Sequence, residues 1–146
     1  MPSTAIDQQA VIATLNRILE AELAGVVRYT HYSFMVFGYS RIPIVSWLRT
    51  QADESLTHAQ EAGELITALG GHPSLKIGEL LETERHDIGD ILREASEHER
   101  RALALYGDLL RQVEGRDVML EEYARQQIAA ESRHVGEVEK MLRQPG

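Results

Sequence analysis

Apolar residues recur along this chain at helical spacing in four long runs. The first is Val11, Leu15, Ile18, Leu19, Val26, Tyr29, Ser33 and Val36, within a stretch from about Thr4 to Phe37 that has no internal proline. It predicts a helix that Ser3 or Thr4 can cap, with Asp7 near the free N–H groups of the first turn. GYSRIP breaks the pattern, and Pro43 suits the first turn of a second helix, from about Ile44 to Leu69. The inward positions there are Leu48, Ala52, Ser55, Ala59, Ala62, Ile66 and Leu69, and Gly70-Gly71 terminates the run. A third helix is predicted from about Arg85 to Glu114, on the stripe Ile88, Ile91, Leu92, Ala95, Glu99, Ala102, Leu103, Tyr106, Leu109, Leu110 and Val113. Gly115 ends it. Asp117 can cap the fourth, about Val118 to Leu142, whose stripe is Leu120, Ala124, Ile128, Val135, Val138 and Leu142.

The connections suggest how these helices assemble. The links on either side, first to second and third to fourth, are short and predict antiparallel neighbours. The middle one, GGHPSLKIGELLETERHD, is long enough to run along a bundle. Two short turns with one long crossover between them describe an all-α, ferritin-like four-helix bundle, a single domain over residues 1–146. No fixed solenoid period and no low-complexity segment interrupts it.

Each stripe is broken by a polar residue where an apolar one belongs. On the fourth helix these are Glu131 and His134, three apart, so both can reach one point. On the first it is Glu22, among Ile18, Leu19, Val26 and Tyr29; on the second, His58 beside Ala59; on the third, Glu99 between Ala95 and Leu103. Alone, each has an ordinary explanation: a chance E-x-x-H pair, an edge glutamate, a satisfied core histidine. Together they fall near mid-length on four different helices. Packed inward without a cation they would bury unsatisfied or mutually repelling groups. Glu97 sits off the stripe and reads as solvated. His31, His72, His86 and His98 lie off the shared inner face and read as surface residues. Tyr29 reads either as an electron donor to the site or as a packing and hydrogen-bonding residue.

Composition narrows the chemistry. The chain has 146 residues and a formal charge of −8, which argues against nucleic acid or an anionic membrane as partner. It has no cysteine, so disulfides, thiolate catalysis and rubredoxin or iron–sulfur sites are excluded, in keeping with a cytoplasmic protein. The opening MPSTAIDQQAVIATL has no basic region ahead of an apolar core, so no signal peptide is predicted. No apolar run is long enough to span a membrane. Carboxylate and imidazole ligands without thiolate suit iron or manganese, with zinc as a common intruder.

The chain resembles the bacterioferritin family. LNRILEAELAGVVRY resembles that family's first helix, with Tyr29 seven residues after Glu22, and the gap from Glu22 to His58 suits its register. LGGHPSL with IGELL resembles its crossover, and AAESRHVGEVEKM its last ligand helix. The resemblance covers nearly the whole chain. It implies ferroxidase chemistry at a di-iron centre: two ferrous ions bind, oxygen or peroxide takes their electrons, and ferric mineral collects inside a shell. In that scheme Glu22 and Glu131 with His134, and Glu99 with His58, hold the two irons.

Three departures qualify the resemblance. The family's bridging carboxylate stands three residues before the histidine, where this chain has Ser55; Glu54 is adjacent and could swing in, and Glu61 is a weaker substitute. The haem-ligating methionine corresponds to Leu56, so no haem is expected at that position. The chain stops at MLRQPG, without the family's short fifth helix, so a dimer or other small homo-oligomer is expected in place of a closed shell. Two alternatives stand beside ferroxidase: a di-metal oxidase or peroxidase without storage, and a non-catalytic bundle with a degenerate centre.

Overall fold

A computed structural model describes residues 5–143. The expected caps Ser3 and Thr4, and the chain end beyond Arg143, lie outside the described residues. Four helices follow in order: α1 (Gln8–Met35), α2 (Arg41–Ala68), α3 (Ile88–Val113) and α4 (Val118–Leu142). Their boundaries are set by local chemistry. Asp7 caps α1 by accepting from the Ala10 N–H at 3.2 Å, so the helix starts later than the apolar pattern alone implies. Asp87 and Asp117 do the same for α3 and α4, accepting from Asp90 N at 3.1 Å and Leu120 N at 2.9 Å. α2 starts three residues before Ile44 and takes Pro43 into its first turn, where the missing N–H has no intrahelical partner to lose. Gly70 and Gly115 follow α2 and α3 with φ of 82° and 73°, a backbone region that suits glycine.

The crossover, residues 70–87, runs along the outside of α1. The Gln8 side chain bonds the Leu69 carbonyl at one end, and His86 Nδ1 lies 2.8 Å from the Met35 carbonyl at the other. Between them, Ser74 donates to Asn16 Oδ1 from its N–H at 2.7 Å and to Glu20 Oε2 from its hydroxyl at 2.6 Å. Gly78 N–H reaches the Glu20 carbonyl at 2.9 Å. The strap returns the chain to the far end of α1, so α3 runs antiparallel to α1, and α4 returns alongside α3.

α1 packs against both α2 and α3, and α3 also packs against α4. Among the described residues no Cα of α2 comes within 8 Å of a Cα of α4. That gap opens a cleft into the bundle. Two apolar clusters fill the rest. One holds Leu15, Ile18, Ile66, Tyr106, Leu109 and Leu120; the other holds Tyr29, Tyr32, Val45, Leu48 and Ile91. A polar layer lies between them.

Candidate metal centre

The polar layer is built from the residues that interrupt the four stripes. Glu22 of α1 is 1% exposed, and Glu99 of α3 and Glu131 of α4 are each 4% exposed. His58 of α2 and His134 of α4 are half-buried. Each sits on its helix face for the same reason as its apolar neighbours, because it shares their helical register.

The layer divides into two groups. Glu22, His58 and Glu131 each offer a ligand atom, and these atoms lie within 4.8 Å of one another. His58 Nδ1 is 2.8 Å from Glu22 Oε2 and 3.6 Å from Glu131 Oε1. The Tyr106 hydroxyl donates to Glu22 Oε2 at 2.8 Å. In the second group the Tyr29 hydroxyl donates to Glu99 Oε1 at 2.7 Å and lies 3.1 Å from His134 Nε2. The His134 ring stacks on Trp47, centroids 5.6 Å apart and planes 7° from parallel. The resemblance placed His134 with Glu22 and Glu131, and His58 with Glu99; here His58 lies beside Glu22 and Glu131, and Tyr29 stands between Glu99 and His134. Tyr29 makes the hydrogen bond to a candidate ligand that was one of the two readings open to it.

Burial dominates the electrostatics. It raises Glu22 above the usual carboxylate range, against the pull of the His58 imidazole. Burial disfavours the charged form of His58, but the hydrogen bond and charge of Glu22 outweigh it and raise that group. Burial, with the neighbouring Glu99 carboxylate, pushes Glu131 up to about 11. Glu99 goes the other way: burial opposes its ionisation, but the side chains of Glu131, His134 and Tyr29 outweigh that and lower it. Two adjacent carboxyls thus share a proton, one ionised and one neutral. Apart from the proton shared with Glu99, no hydrogen bond reaches Glu131 Oε2. Buried carboxyls beside an imidazole are a donor set in which a cation can take the place of the shared proton.

The cleft between α2 and α4 leads to these residues. It has a volume of about 210 Å³ and is lined by Gln51, Glu54, Ser55, His58, Glu99, Ala130, Glu131 and His134. Glu54 is exposed at this cleft, outside the Glu22–His58–Glu131 group. Glu61 is exposed and accepts a 3.1 Å hydrogen bond from Gln127 Nε2. Ser55 is buried, and its side chain packs toward α1: a Cβ placed on Gly25 would meet Ser55 Oγ at 2.8 Å. His98, expected at the surface, is only 6% exposed. Its Nδ1 lies 3.2 Å from Nη1 of Arg28, which is itself buried and whose Nη2 donates to the Tyr32 hydroxyl at 3.2 Å. Burial first, and the Arg28 charge second, lower His98 and keep it neutral. A single inward stripe per helix cannot predict this pair. α3 buries one face against α4 and a second against α1, and His98 lies on the second. The one signal in the sequence is Arg28 three residues after Gly25 and four before Tyr32, on a common face.

A family model for the ferritin-like domain matches residues 12–145. The chain belongs to the ferritin-like domain family. Solved structures agree. A ferritin-like, diiron-carboxylate protein from Bacillus anthracis str. Ames superposes with a TM-score of 0.88 at 24% identity, covering 94% of this chain and 98% of that one. The bacterioferritin-related protein of Bacteroides fragilis, a dodecameric thioferritin, gives 0.85 at 22% identity, covering 94% and 86%. Rhodobacter capsulatus bacterioferritin, with a metal-free dinuclear site and haem iron, gives 0.78 at 24% identity, covering 92% and 84%. No curated protein matches the sequence. The ferritin-like bundle read from helix lengths and connections is the observed fold, and the bacterioferritin resemblance is matched by bacterioferritin-related structural neighbours. No helix of the described residues is long and apolar enough to cross a membrane.

Proposed function

We propose that this ferritin-like protein binds ferrous iron as its substrate at Glu22, His58 and Glu131 and passes the electrons to oxygen or peroxide, with the ferric product retained by a homo-oligomer in the cytoplasm. The observation that carries the reading is the group of three ligand atoms from Glu22, His58 and Glu131, buried or half-buried at a cleft into the bundle. Two carboxylates and a neutral imidazole are a hard, oxygen-rich donor set that suits iron or manganese and also admits zinc. Bound there, iron supplies one electron per ion, and dioxygen taking four with four protons yields two waters.

The chain's own residues supply charge and orientation. Glu22 and Glu131 become anionic when a cation replaces the protons that burial favours. Tyr106 fixes Glu22 through its 2.8 Å hydrogen bond, and Tyr29 fixes Glu99. Glu54 lends negative charge to the cleft through which a cation enters. We expect no haem at Leu56, since leucine has no donor atom. Exposed Phe34, Phe37, Ile42, Leu80 and Leu81 support self-association.

The test is an anaerobic ferrous titration of metal-free protein, followed by oxygen. Saturable binding and oxidation faster than in protein-free buffer are expected, both lost in Glu22→Ala with Glu131→Ala. Binding and oxidation unchanged by that pair, or absent from the wild type, overturn the reading.

A further inference from the structure

Three buried carboxylates and two imidazoles occupy the polar layer, but their ligand atoms do not converge on one place. Glu22, His58 and Glu131 form the one group of three ligand side chains found within 4.8 Å among the described residues. The other two are otherwise engaged. Tyr29 bonds Glu99 at 2.7 Å and lies 3.1 Å from His134 Nε2, and Trp47 covers the face of the His134 ring. Turning His134 toward Glu131 would break the tyrosine contact and the stack together.

Glu99 and Glu131 meet carboxyl to carboxyl, so a second ion between the groups would need a further carboxylate or imidazole from α2 besides His58, and α2 has none buried there. Position 55 faces the layer, yet it holds a serine whose side chain packs against α1 at Gly25. Its charged neighbour Glu54 is solvated.

We infer that each chain holds one divalent ion, at Glu22, His58 and Glu131, and that Glu99, Tyr29 and His134 form a neighbouring hydrogen-bonded cluster that does not ligate it. This rests on the metal-binding reading above. Ser55 is then the residue that sets the count, and Ser55→Glu supplies the missing carboxylate between the two groups.

The experiment is an anaerobic titration of metal-free protein with cobalt(II), followed by its visible absorption and by calorimetry, with helix content checked by circular dichroism. Wild type is expected to bind one cobalt per chain. His58→Ala should weaken binding by more than the roughly 10–100-fold typical of an outer-shell residue, and His134→Ala by less than that. Ser55→Glu should bind two. Two cobalt ions in the wild type, or greater loss in His134→Ala than in His58→Ala, overturns the one-ion assignment and leaves metal binding standing. A folded Ser55→Glu that still binds one overturns the role given to Ser55. No cobalt bound to the wild type overturns the metal-binding reading itself. If Ser55→Glu does not fold, the wild-type count and the two histidine variants decide the assignment.

Discussion

Glu131 is a buried acid paired with Glu99, and it contributes to how the metal-free protein responds to pH. Burial and Glu99 hold its carboxyl up at about 11, far above the ordinary carboxylate value of 4.5. Between those values the folded chain binds more protons than the unfolded one, so this residue's stabilisation is full below the lower value and is lost as pH rises toward the upper. Glu131→Gln keeps the shape and cannot ionise. The metal-free variant is expected to exceed wild type by roughly 1–3 kcal/mol at pH 8, with the gap closing toward pH 4, in urea unfolding. A variant less stable than wild type at pH 8 would contradict the assignment. The inward positions of Glu22, Glu99 and Glu131 were legible from sequence because each stands in an apolar stripe. Which histidine meets which carboxylate was not, because pairing depends on side-chain packing between helices. His134 is claimed by Tyr29 and Trp47, which leaves His58 to Glu22.

At the level of elements, the position of greatest interest is where α1 meets α2. Gly25 lets the helices approach so closely that an added Cβ would lie 2.8 Å from Ser55 Oγ, 3.3 Å from Ser55 Cβ and 3.4 Å from His98 Nε2. Alanine gains about 1 kcal/mol of helix propensity over glycine, but overpacking a tight contact costs about 1–3 kcal/mol. Gly25→Ala is therefore expected to lower stability, and less so in a Ser55→Ala background, where the nearest atom is gone. A double-mutant cycle on thermal or urea unfolding measures the coupling. A Gly25→Ala protein more stable than wild type would show that the helices yield there. Glycine at 25 was readable as a cost to helix propensity, and its partner was not, because Ser55 is thirty residues away along the chain. The helices themselves were readable. α4 begins and ends where its cap and stripe predict, and the other boundaries shift because Asp7, Asp87 and a tolerated Pro43 act locally.

For the whole molecule, the strap and the bundle surface carry the consequence. Leu80 and Leu81 of the crossover are 51% and 41% exposed and border a groove with Val27 and Tyr32 of α1. Apolar surface of this kind favours association, so the wild type is expected to sediment as a dimer or larger, and Leu80→Asp with Leu81→Asp to shift it toward monomer. A monomeric wild type at micromolar concentration would refute this. The bundle itself needed only local information: helical periodicity, four capped or glycine-ended runs, two short links and one long one leave few ways to bury four stripes together. The polar layer was likewise visible as interruptions of those stripes. Tertiary structure alone decided the rest. It set α1 between α2 and α3, which buried His98 and Arg28 on a second face that no single stripe displays. It parted α2 from α4 to open the cleft. And it sorted five candidate ligands into a group of three and a tyrosine-bound pair, because distances between side chains on different helices follow from how the helices pack and not from spacing along the chain.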